Sequence, residues 1–99
     1  MYFDKLMITP KENGKTHFSV STGEARVDVH IIDTEEYKKV LREDQQKGWV
    51  GNEFFSQKTN PDYVTVRIYV SDSNLVYYDI RTSEYKKAVN SFLAQIGGL

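Results

Sequence analysis

The chain has no cysteine, only two prolines in 99 residues, and a net charge of −1. Without a thiol there is no disulfide framework, no thiolate metal site and no cysteine nucleophile. No apolar run approaches the ~18 residues that a membrane-spanning helix needs. Met1-Tyr-Phe-Asp-Lys5 carries no apolar core of a signal peptide, so the expectation is a cytoplasmic protein with no membrane partner. Charge of neither sign dominates, which leaves the partner unnamed by gross electrostatics. The P-loop, the H-E-x-x-H helix, the nucleophile elbow, the EF-hand loop and the dinucleotide fingerprint are all missing. What is abundant is the aromatic ring: seven Tyr, five Phe and one Trp, or 13% of the chain. Tyr suits surfaces with one dry and one wet side, such as half-exposed sheets, interfaces and stacking platforms.

Length and pattern predict one α+β domain over residues 1–99, a largely antiparallel sheet of about six strands with two helices on one face. The first strand, Tyr2 to Thr9, ends at Pro10, and Asn13-Gly14 marks a hairpin. A two-residue turn there sets Thr9 opposite Phe18 and Met7 opposite Val20. Phe3, Met7, Phe18 and Val20 then form a core stripe, with Leu6 and Ile8 on the other face. A turn at Thr22-Gly23-Glu24 leads to Arg26–Ile32, where Val27, Val29 and Ile31 alternate with polar residues and read as the buried set.

Asp33 or Thr34 caps a helix over 34–47 that buries Tyr37, Val40 and Leu41, ends near Gly48 and lies at the edge of the core. Trp49–Phe55 reads as a short or bulged strand and Ser56–Asp62 as a polar loop. Tyr63–Val70 alternates cleanly, with Val64, Val66, Ile68 and Val70 on one face. After a loop at Ser71–Asn74 comes the strand Leu75–Ile80. Thr82 caps the final helix over 82–96, in which Tyr85, Val89, Phe92, Leu93 and Ile96 fall on one stripe.

Thr34-Glu-Glu-Tyr-Lys-Lys39 recurs as Thr82-Ser-Glu-Tyr-Lys-Lys87, five identities in six at an offset of 48. Two readings account for it: an internal duplication with halves of about 1–48 and 49–99, or the shared chemistry of two helix starts. Either gives the order βββα-βββα.

Candidate chemistry is sparse. His17, His30 and Asp28 are too few for a zinc site, so neither metal nor cofactor is expected, and a non-enzymatic role is favoured. Lys38-Lys39 and Lys86-Lys87 read as solvated helix faces rather than phosphate contacts. The sharpest feature is the strand face bearing Tyr63, Thr65, Arg67 and Tyr69, with a further ring from Tyr77 or Tyr78 and with Lys58 and Arg81 at the rim. Rings on an open sheet with Arg between them suit single-stranded nucleic acid, each stacked base contributing ~1–3 kcal/mol. Against this, residues 49–80 carry a net −2, whereas a nucleic-acid groove wants positive potential. The same residues suit a protein-binding adaptor or inhibitor module. So many rings on an uncovered face also predict a homodimer.

The strand ending Tyr78-Asp79-Ile80-Arg81 before a C-terminal helix resembles, in topology, small ββββα single-strand DNA-binding coactivator-type domains. The resemblance is one of strand order and implies no family membership.

Overall fold

In a computed structural model, residues 2–3, 5–21, 26–43, 48–71 and 74–99 are described, the side chains of 2 and 3 excepted. The order is β1 (Tyr2–Phe3), β2 (Lys5–Pro10), β3 (Lys15–Ser21), β4 (Val27–Asp33), α1 (Thr34–Arg42), β5 (Trp49–Gly51), β6 (Phe55–Thr59), β7 (Tyr63–Ser71), β8 (Asn74–Arg81) and α2 (Thr82–Ile96). The fold is α+β in the order βββα-βββα, with β1 and β5 as short additions. The strands divide into two sheets, β2-β3-β4 and β1-β8-β7-β6-β5. All pairings are antiparallel except β1 with β8.

Between the sheets and helices lies an aromatic core. Tyr37 of α1 meets Phe18, Phe55 and Phe92 edge-on, with ring centroids 5.3–6.3 Å apart. Helix α1 therefore enters the centre of the core and not its edge. Asp33 caps it, accepting a hydrogen bond from the Glu36 amide at 3.0 Å. The helix ends at Arg42 with Glu43 extended, six residues short of Gly48; positions 44–47 lie outside the described residues. On its exposed side Glu35–Lys38 and Glu36–Lys39 pair at 3.4 and 3.2 Å, as a solvated face would. Helix α2 occupies the predicted span, with Tyr85, Ala88 and Phe92 buried and Val89, Leu93 and Ile96 packed partly buried against the core. Thr82 does not cap it: its amide donates to the Asp62 carbonyl and its hydroxyl to that of Asn60, tying the helix start to the β6–β7 turn.

Three expectations about the strands are corrected as well. Between β2 and β3 the Lys11 amide donates to the Lys15 carbonyl at 2.8 Å and encloses a loop of three residues, Glu12-Asn13-Gly14, with Asn13 and Gly14 both at positive φ. One extra loop residue slips the register by one and swaps the faces. Leu6 now pairs with Val20 and Ile8 with Phe18, so Leu6 and Ile8 are buried and Met7 is exposed. The second correction is β4: Val27, Val29 and Ile31 face outward, while Asp28 and His30 point inward beside Ile32. Those polar groups are satisfied inside, since the Tyr78 hydroxyl lies 2.6 Å from His30 Nε2 and donates to Asp28 at 3.1 Å. Third, Ser56–Thr59 is strand, and the buried Gln57 amide oxygen accepts from the Tyr85 hydroxyl. The expected turn at 22–24, the tip of the loop at 72–73 and the Phe3 side chain fall outside the described residues.

At the offset of 48, β3 lines up with β7, β4 with β8 and α1 with α2. The β3–β4 and β7–β8 registers are equivalent as well: Lys15↔Asp33 becomes Tyr63↔Arg81. Residues one offset apart also touch. Tyr37 and Tyr85 join hydroxyls at 2.9 Å, and His30 meets Tyr78. A residue contacting its own counterpart is what a local twofold between halves requires.

Candidate functional site: an open aromatic sheet face

Because side chains alternate along a strand, the five-stranded sheet has an inner face of Phe55, Gln57, Val64, Val66, Ile68, Tyr78 and Ile80 and an outer face of their neighbours. Registers place Arg67 between Ser56 and Tyr77, Thr65 between Lys58 and Asp79, and Tyr63 beside Arg81. Tyr63, Arg67, Tyr69, Tyr77, Lys58 and Arg81 are thus brought to one surface. Tyr78 is not among them. It lies on the inner face, 4% exposed, and its hydroxyl is held neutral by burial and by its bond to Asp28, which push its pKa up.

Two residues that the sequence reading passed over complete the face. Trp49, on β5 opposite Lys58, lies against Arg67, whose guanidinium carbon sits 4.6 Å from the indole centroid. The same indole meets the Tyr77 ring edge-on at 6.4 Å. Small residues, Gly51 and Ser56, occupy the cross-strand row that leads to Arg67 and Tyr77, and Arg67 Nε donates to Ser56 Oγ at 2.9 Å. Glycine is required at 51: φ is +136°, and a Cβ would overlap the Phe55 carbonyl oxygen. Phe54 is presented by a turn in which Asn52 Oδ1 accepts the amides of Phe54 and Phe55 at 2.8 and 2.9 Å. Its carbonyl accepts the Tyr69 amide at 3.0 Å, and the Phe54 and Tyr69 rings meet edge-on at 5.8 Å.

Trp49 remains 41% exposed and Tyr77 55%, so the rings offer surface rather than core. Charge on this face is Lys58, Arg67 and Arg81 against Asp79, and Asp79 accepts a hydrogen bond from Thr65 at 2.6 Å. Among the described residues the face carries three cations against one carboxylate, although residues 49–80 sum to −2: Arg81 lies beyond that span, and Glu53 and Asp62 lie in turns. A lone Trp in an aromatic sequence was the available signal for Trp49. It was obscured by the shortness of β5 and by the reading of Ser56–Asp62 as a loop.

Among the described residues no three His, Cys, Asp or Glu side chains gather as metal ligands. His17 and His30 lie on opposite faces of β3-β4, since His17 pairs with Ile31 and His30 with Phe18. No described helix is long and apolar enough to cross a membrane. Together, fold and face define an α+β protein with an open, cation-bearing aromatic sheet surface. No family model matches the chain, and neither does any curated protein or solved structure.

Proposed function

We propose that the chain is a non-catalytic binding protein that holds single-stranded nucleic acid on the outer face of its five-stranded sheet. The observation that carries this reading is the Arg67–Trp49–Tyr77 cluster, a guanidinium packed on an indole that is flanked by an exposed phenol. Unpaired bases stack on such rings whatever their identity, and the cations meet the phosphates between them. Lys58 and Arg81, one and two rows from Arg67 toward the Tyr63 end of β7, are the phosphate contacts. Duplex is disfavoured because its bases are already stacked and their faces are hidden.

The rival occupant, a protein partner docking through the same face, draws on exposed Phe54 and Leu75 at the Tyr69 end of the surface. Trp49 is the only tryptophan, so its fluorescence reports the site directly. Titration with oligo-dT is expected to quench the emission at low salt. Unchanged emission through a saturating range of oligo-dT overturns the proposal and leaves the protein partner as the reading to pursue.

A further inference from the structure

Strand β4 has an unpaired edge. It ends the order β2-β3-β4, and no described strand pairs beyond it. Its counterpart at the offset of 48, β8, has that edge covered by β1. On the outer face of β4, Val27, Val29 and Ile31 are 56, 52 and 65% exposed, an unbroken aliphatic row on an open edge. Monomeric proteins normally blunt such an edge with charge, proline or a covering segment.

We infer that a second copy of this chain pairs with this edge, β4 against β4 in antiparallel sense, with Val29 on the twofold axis. The sequence of the strand is complementary to itself in that register. Val27 falls opposite the partner's Ile31, Val29 opposite its own copy, and Asp28 opposite the partner's His30. Outward residues meet outward residues, so the two aliphatic rows join across the axis and the sheet becomes six-stranded. The partner's Arg26 arrives opposite Ile32, beside a largely apolar cleft of about 270 Å³ whose lining includes Ile31, Phe54 and Tyr69. Asp33 and Glu36 also line it, so the incoming cation meets carboxylates. Arg26 is exposed and, among the described residues, is held by its own Asp28 at 3.1 Å, a surface pair of little intrinsic strength. Isologous closure of this kind satisfies both β4 edges at once, and β2 becomes the outer strand at each end of the joined sheet.

The test uses the full chain and one introduced thiol, since none is present. Residues paired across a twofold have Cα atoms roughly 4.5–5.5 Å apart, within the range of about 4.4–6.8 Å that a disulfide spans. Val29→Cys is expected to oxidise to a covalent dimer at tens of micromolar. Val27→Cys, whose copies lie about 13 Å apart along the strand, is expected to remain uncoupled. Sedimentation equilibrium of the unmodified chain should give twice 11.5 kDa, and Val29→Lys should return it to the monomer mass with unchanged circular dichroism. A monomer for the unmodified chain, or equal cross-linking of the two cysteine variants, overturns the inference. So does a Val29→Lys variant that keeps its fold and stays dimeric.

Discussion

Tyr85 places its hydroxyl between two other polar groups in the centre of the core. The Tyr37 hydroxyl donates to it, and it donates to Gln57 Oε1. Burial pushes both tyrosine pKa values up, so the chain of bonds stays neutral under ordinary conditions. A buried amide is tolerated on β6 because this chain satisfies its oxygen. Tyr85→Phe keeps the ring and strands both neighbours, and urea unfolding is expected to show a loss of ~1–3 kcal/mol.

The second residue-level site is Arg26–Asp28–Tyr78–His30. Asp28 is held below its usual value chiefly by the Arg26 hydrogen bond, with help from Tyr78 and the His30 charge. Burial lowers the His30 pKa, against the opposing pull of Asp28. Both folded pKa values lie below the unfolded ones, so each contribution is present above the unfolded value and lost as pH falls through the folded one. The His30 share therefore erodes first, on acidification below 6.5, and the Asp28 share below 3.8. Denaturation midpoints measured down through 6.5 should fall, and His30→Gln should flatten that first decline. A midpoint constant through this range would remove His30 from the account.

At the scale of elements, the helices were the most legible parts. The stripe through Tyr85, Val89, Phe92 and Leu93 specifies one face of α2, and that face packs inward. Phe92 is fully buried against Tyr37, and Phe92→Ala is expected to cost ~3–5 kcal/mol in thermal or urea unfolding. Strands were legible in period but not in facing. Alternation in β4 shows that two faces exist; it does not say which turns inward. Here the polar set turned inward because Tyr78, 48 residues from His30 and 50 from Asp28, bonds to both. The β2 face was misassigned for a smaller reason, one extra residue in the Glu12–Gly14 loop. Ser56–Thr59 looks like a loop in sequence because its polarity is compensated by Arg67 and Tyr85, which a local window does not contain.

For the whole molecule, the hexapeptide repeat is embedded in equivalent elements, and the equivalent tyrosines Tyr37 and Tyr85 meet. The outer faces of the two halves differ. Arg67, Tyr77 and Arg81 correspond at the offset of 48 to Ser19, Val29 and Asp33, so the rings and cations of one half have no equivalent in the other. Most of the candidate face was legible from the strict alternation of β7. Its charge was not, because summing over a segment mixes turn carboxylates with face cations. Trp49 joined only through the pairing of β5 with β6.

The central claim is that this face binds single strands through stacking and phosphate contacts. Its most direct test is the anisotropy of labelled oligo-dT, with a duplex control, titrated with the unmodified chain and with Tyr77→Ala across a range of salt. The account predicts preference for the single strand and a marked loss in Tyr77→Ala. It also predicts a log–log salt slope of about −1.4 to −2, as two or three neutralised phosphates give on single strands. Absence of binding at low salt, or binding that is insensitive to salt and unchanged in Tyr77→Ala, would contradict it.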